Sequence, residues 1–173
     1  MLFARKDTRI ALLTVFLLLS VSTLRADSVT DWNKRACEIA GPANFDTPNA
    51  NRALAIMHTA IYEAVNAITK KYPTGDVKID APAGASVDAA VAAAGRMTLL
   101  KVAPSRQTEI ESAYQEALGK IADGRAKTDG IAVGEKAAAA VLASRLEDGF
   151  TTTETYRPYT LPGVYVPTVV PLV

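Results

Sequence analysis

Hydrophobic residues recur at intervals of three and four along most of this chain, which is the spacing of one face of an α-helix. Five segments show this pattern, and short stretches rich in glycine, proline, aspartate or asparagine separate them. The predicted helices run from Ser28 or Thr30 to Gly41, from Pro48–Asn51 to Thr69, from Ser86 to Val102, from Pro104-Ser105 through Ile121, and from Ala126 to Glu147. The pattern therefore predicts an all-α domain of about five helices in an antiparallel, bundle-like packing.

The apolar faces also indicate how the helices pack. Trp32 shares a helical face with Val29, Ala36 and Ile39, so we expect it to anchor the core. The third helix is rich in alanine, and small residues let helices approach closely, which favours a central position for it. Gly130 and Gly134 in the fifth helix either weaken it, by about 1 kcal/mol each relative to alanine, or permit a close helix crossing.

The first 26 residues have the pattern of a signal peptide. A basic stretch that includes Arg5 precedes an apolar run over 10–21, and Ala26 is a plausible cleavage residue. An uncleaved membrane anchor is the alternative. Residues 1–26 carry a net charge of +3, so their removal from a chain of net charge +1 leaves −2. This balance does not indicate a nucleic-acid-binding surface, and we expect an exported protein, periplasmic or secreted, with no membrane association after cleavage.

The character of the sequence changes at Phe150. Prolines at 158, 162, 167 and 171 prevent a regular helix, so residues 150–173 are predicted to form an extended arm that follows a helical domain of residues 27–149. The arm ends in the apolar run Val169-Val170-Pro171-Leu172-Val173. We interpret this as a chain that continues, or one that docks on something absent, and self-association is a further expectation.

Four segments, taken in order, identify a family resemblance. They are Val29-Thr30-Asp31-Trp32-Asn33, the helix from Asn51 to Ile68 with the single histidine His58, the run Ala126–Gly134, and Pro162–Pro167. Over residues 29–166 the chain resembles the N-terminal helical region of bacterial vanadium-dependent haloperoxidase-related proteins, in the type-2 phosphatidic acid phosphatase superfamily.

The resemblance implies a reaction but does not place it in these residues. In that family, vanadate or the phosphate that it mimics is bound in a later helical bundle by a lysine with Arg-Pro, by Pro-Ser-Gly-His, and by Ser-Arg with a downstream histidine. Here Phe150 stands where the lysine before Arg157-Pro158 would fall, no histidine follows Ser144-Arg145, and Pro-Ser-Gly-His is absent. We therefore assign no catalytic, cofactor-binding or metal residue, and we expect vanadate only in a complete haloperoxidase of the family.

Three further side chains have simple interpretations. His58 is expected to be hydrogen-bonded within the bundle, with Tyr62, Glu63 and Asn66 as possible partners, or alternatively to belong to an unknown site. Cys37 is the only cysteine, which excludes an intrachain disulfide, and we expect it to be buried. Glu111 is expected to lie on a solvated face.

These observations lead to two functional hypotheses from different classes. The first is the N-terminal scaffold portion of an exported haloperoxidase or acid-phosphatase-like protein, with a missing C-terminal catalytic bundle as its partner and no activity of its own. The oxidoreductase (peroxidase) and phosphatase alternatives stay open, because both reactions use one oxyanion pocket. The second is a stand-alone periplasmic helical module that binds a protein partner without catalysis.

Overall fold

The computed structural model describes residues 27–41, 47–73, 75, 77–153, 155, 157 and 161–165. Within these ranges the chain forms five α-helices, one 3-10 turn and no β-strand, which confirms the all-α prediction. The helices are α1 (Ser28–Ala40), α2 (Thr47–Thr69), α3 (Val87–Val102), α4 (Gln107–Gly119) and α5 (Arg125–Ala143), and the 3-10 turn is Pro104–Arg106. The predicted signal peptide, residues 1–26, lies outside the described residues.

Short polar side chains set the helix starts. Asp27 caps α1 by accepting the backbone N–H of Thr30 at 2.8 Å, and Ser86 caps α3 by accepting that of Ala89 at 3.2 Å. The last helix ends at Ala143, four residues before the predicted Glu147. The backbone N–H of Arg145 bonds to the carbonyl of Leu142, one residue short of the α-helical partner, so the chain tightens into turns there.

Helix α3 lies at the centre of the bundle, as the sequence predicted. It contacts α1, α2, α4, α5 and the 3-10 turn, and residues 89–95 are all buried. Six of those seven residues are alanine or valine and the seventh is Gly95, so neighbouring helices can approach α3 from every side. Around this helix the core is completed by larger side chains of other helices, among them Met57, Ile61 and Ile110.

Helices α3 and α5 cross closely and run in the same direction. A Cβ atom built on Gly130 would lie 2.3 Å from the carbonyl oxygen of Ser86, and one built on Gly134 would lie 2.2 Å from that of Ala90. Both contacts advance by four residues, so the two helices are parallel, as helices separated by one intervening helix are in an antiparallel packing. The glycines therefore permit the close crossing, the second of their two predicted roles.

Trp32 of α1 packs on the same central helix. Its side chain is only 2% exposed, which confirms the prediction that it anchors the core. The indole covers Gly95, where a Cβ atom would lie 2.6 Å from an indole carbon. The largest core side chain thus fits a place where the central helix has no side chain at all.

An ion pair braces α3 against α4. The Arg96 guanidinium donates to both carboxylate oxygens of Glu111, at 2.8 and 2.6 Å, and lies 4.9 Å from the centre of the Tyr114 ring. This hydrogen bonding lowers the pKa of the Glu111 carboxyl, while burial raises the pKa of Tyr114. Glu111 keeps 31% of its side chain exposed, but the expectation of a solvated position did not include this ion pair, because the arginine is 15 residues away along the chain.

Beyond residue 149 the structure describes 150–153, 155, 157 and 161–165, and none of these is in a helix or strand. A turn occupies part of the last range, where the N–H of Val164 bonds to the carbonyl of Leu161 and Gly163 has a φ of +82°. The rest of the predicted arm, including residues 166–173, lies outside the described residues.

The close crossing can be tested with one methyl group. Gly134→Ala should destabilise the chain by about 1–3 kcal/mol, because the new methyl meets backbone atoms of Ala90. This cost opposes the gain of about 1 kcal/mol that alanine usually gives within a helix. Chemical unfolding measures the change. Gly119→Ala is the control, since nothing lies within 4 Å of its Cβ position, and a Gly134→Ala protein as stable as this control would contradict the crossing.

The contact between Trp32 and Gly95 predicts coupled substitutions. Trp32→Ala should cost about 3–5 kcal/mol through lost burial and a cavity. Gly95→Ala should destabilise the wild-type chain but cost much less in the Trp32→Ala background, where the indole is gone. A double-mutant cycle of unfolding free energies should give a coupling of about 0.5–3 kcal/mol. Strictly additive effects would show that the indole does not rest on Gly95.

Candidate functional site

A cleft of about 480 Å³ opens at one end of the bundle. The parallel helices α3 and α5 both end there, and α2 begins there. Six of the eleven lining residues are apolar, three are cationic and none is acidic. The lining residues are Asn49, Arg52, Ala53, Ile56, Lys101, Val102, Leu142, Arg145, Leu146, Phe150 and Thr151. This volume lies within the range of about 300–1,000 Å³ that is typical of small-molecule sites.

Arg52 links the first turns of α2 to the start of the arm. Its guanidinium lies 2.7 Å from Oδ2 of Asp148 and 4.1 Å from the centre of the Phe150 ring. The Asp148 carboxylate also accepts the backbone N–H of Phe150 at 3.2 Å. The cation is thus held by a charge on one side and an aromatic face on the other, and we call these three residues the arginine clamp.

The positive charges around Asp148 favour its ionised form. The hydrogen bond from Arg52 lowers the pKa of the Asp148 carboxyl, and the Phe150 N–H, the charge of Arg52 and the field of Arg145 act in the same direction. A carboxyl group whose pKa is lowered by folding stabilises the folded state at pH values above the pKa that it has in the unfolded chain. This contribution is lost as the pH falls through the lowered value, so the clamp is intact at neutral pH and weakens only in acid.

A second cleft of about 590 Å³ lies near the start of α1. It contains Asp27, Asp31 and Asp88, and all three carboxylates lie at or next to the first turn of α1 or α3. Acidic side chains are favoured there by the helix dipole and by capping. Its cations Arg35 and Lys120 both bond to Glu116. The charges of this cleft are thus explained by helix structure, and the first cleft is the better candidate.

His58 joins two helices. Its Nε2 atom lies 2.8 Å from Oδ1 of Asn33, which links α2 to α1. The suggested partners lie elsewhere: Asn66 bonds to the backbone of Tyr72 and Pro73, and the ring of Tyr62 packs beside that of Tyr72. Asn66 thus anchors the loop after α2. Sequence reasoning missed this role, although a buried asparagine near a helix end is a possible signal for it.

Cys37 is exposed, so the prediction that it is buried is wrong. It shares α1 with Trp32, Ala36, Ile39 and Ala40, which are buried. A helix that buries one side against the bundle leaves the positions between these residues in solvent, and Cys37 occupies one of them. Its helical position alone did not show which side it takes.

The first cleft does not fit vanadate. In the family that the sequence resembles, a histidine ligates vanadium, and the lining of this cleft contains none. The single histidine is instead bonded to Asn33. Within the described ranges, no three His, Cys, Asp or Glu side chains are grouped so as to hold a metal ion.

Two further findings bear on the class of protein. In the part of the chain that the structure describes, no helix combines the length and the apolar character needed to cross a bilayer. No family model, curated protein or solved structure matches the chain.

Removal of the clamp should release the start of the arm. Arg52→Met keeps an apolar stem but loses the ion pair with Asp148 and the contact with Phe150. Amide hydrogen exchange of residues 148–153 should become faster, while exchange in α3 stays unchanged, because the clamp holds the arm and not the core. Arg125→Met is the control, since Arg125 pairs with Asp129 but is 89% exposed. Unchanged exchange in residues 148–153 of Arg52→Met would contradict the role of the clamp.

Proposed function

We propose that this chain is the N-terminal scaffold portion of an exported vanadium-dependent haloperoxidase or acid-phosphatase-like protein. Its partner would be a catalytic helical bundle, and the reaction would take place in that bundle. The resemblance of residues 29–166 supports the family, and the all-α fold is compatible with it. Export is part of the proposal and rests on the signal-peptide pattern of residues 1–26.

The arginine clamp is the observation that best supports a scaffold role. A scaffold must fix the direction in which the following segment leaves it. Asp148 and Phe150 come after the turns that follow α5, and Arg52 of α2 contacts both. The first residues of the arm are therefore attached to a second helix instead of only to the one that they follow. This attachment restricts the paths open to the chain after residue 150.

A stand-alone interaction module is the second candidate, favoured by a different observation. Leu146 is 71% exposed and Phe150 is 55% exposed, and both line the first cleft. Neighbouring exposed apolar side chains are typical of surfaces that bind other proteins. This module would bind its partner without any link to a catalytic bundle.

The two candidates predict different transcripts. If the chain is a scaffold portion, the reading frame should continue beyond codon 173 into a lysine with Arg-Pro and then Pro-Ser-Gly-His. Sequencing of the full-length transcript measures this directly. A stop codon immediately after Val173, together with a stable monomeric protein, would contradict the scaffold proposal and favour the module.

The scaffold proposal also predicts that the chain alone is inactive. Supplied with vanadate, hydrogen peroxide and bromide, it should not brominate a dye, and it should not hydrolyse p-nitrophenyl phosphate. The physical reason is that the described residues provide no histidine at a cationic pocket. A complete haloperoxidase is the positive control. Activity clearly above that of a mock preparation would contradict the proposal.

A further inference from the structure

We infer that the first cleft binds a single-chain amphiphile with a monoanionic head group, such as a carboxylate or a sulfate ester. The head would lie at Lys101 and Arg145, and the alkyl chain would pack on Ile56, Val102 and Leu142. This inference goes beyond the proposed scaffold role and does not depend on it. It follows from the combination of charge and apolar surface in one cavity.

The charge of the cleft favours an anion. Arg52 is engaged by Asp148, whereas neither Lys101 nor Arg145 forms an ion pair within the described part of the chain. Arg145 does act on Asp148 through its field, which lowers the pKa of that carboxyl. After Arg52 and Asp148 neutralise each other, two cations thus remain in the lining of a cleft that contains no acidic lining residue.

Helix dipoles reduce this charge but do not cancel it. Lys101 lies in the last turn of α3, and Arg145 lies two residues beyond the end of α5, so both cations are close along the chain to helix C-termini. Each helix C-terminus carries about half a negative charge, and the N-terminus of α2 carries about half a positive charge. When these partial charges are added to the charges of the three cations and Asp148, the cleft still carries about one and a half positive charges. One anionic head group would balance most of it.

The apolar part of the lining defines the rest of the ligand. The side chains of Ile56, Val102 and Leu142 offer aliphatic surface and no hydrogen-bonding groups. Phe150 is the only aromatic residue in the lining, and Arg52 already covers one face of its ring. The cleft therefore lacks a pair of aromatic faces for stacking a nucleotide base, and a small inorganic anion would leave the aliphatic surface in water. An alkyl chain with an anionic head fits both features.

Nuclear magnetic resonance titrations of the isotope-labelled chain test the inference. The probes are decanoate and decyl sulfate, each below its micelle concentration, with acetate and decyltrimethylammonium as controls. Both anionic amphiphiles should shift amide signals of residues 49–56, 101–102 and 142–151, and the tighter of the two identifies the head group. Decyltrimethylammonium should bind at least about tenfold more weakly, which corresponds to about 1.4 kcal/mol. Acetate should cause no shifts at the same concentrations.

Matched double variants separate a specific site from general attraction to a charged surface. Lys101→Met with Arg145→Met should weaken decanoate binding about tenfold and leave decyltrimethylammonium binding unchanged or stronger. Arg125→Met with Lys136→Met removes the same kinds of charge from exposed positions outside the cleft and should have no effect. Equal weakening by both pairs, equal binding of the two amphiphile charges, shifts confined to other residues, or no shifts at all would each overturn the inference.

Discussion

The close crossing of α3 and α5 is the constraint on which the rest of this structure depends. Carbonyl groups of α3 lie where side chains of α5 would otherwise stand, so only glycine fits at residues 130 and 134. The N–H of Ser86 also bonds to the carbonyl of Ala126 at 2.8 Å, which aligns the starts of the two helices. Because the starts are aligned and the directions agree, both helices end at the same side of the bundle.

That alignment also creates the first cleft. Two parallel helices that end together leave their last turns side by side, and α2 approaches them with its opposite end. Lys101 and Arg145 are favourable at these ends because of the carbonyl groups there. The presence of cations in the cleft thus has a structural cause, and their charge exceeds that of the opposing helix dipoles.

Periodicity and composition were enough to predict the helices, the buried Trp32 and the central position of α3. They predicted less well where a result depends on the relative placement of helices. Cys37 and Glu111 both occupy ordinary helical positions, and only the packing of α1 and α4 decides that one is exposed and the other paired with Arg96. Gly130 and Gly134 were recognised as a possible crossing, but a single sequence does not name the helix that they meet.

The arginine clamp was also beyond reach of the sequence. Arg52 and Asp148 are separated by 96 residues, and each has several oppositely charged residues closer along the chain. Long-range pairs of this kind follow from topology, which periodicity does not provide. The family resemblance that we propose from the sequence likewise rests on local motifs, and it does not indicate a cleft at the ends of α3 and α5.

The parallel arrangement of α3 and α5 has a consequence for how the chain folds. Gly130 meets Ser86, so the central contact joins residues that are 44 positions apart. In a bundle of consecutive antiparallel hairpins, most contacts are local and folding is fast. Here the central contact requires closure of a long loop that contains α4, and the entropy of that closure is lost before the core is complete. The glycine contacts that define the native core are therefore expected to form only once α4 has been enclosed in this loop, after the hydrogen bonds within each helix.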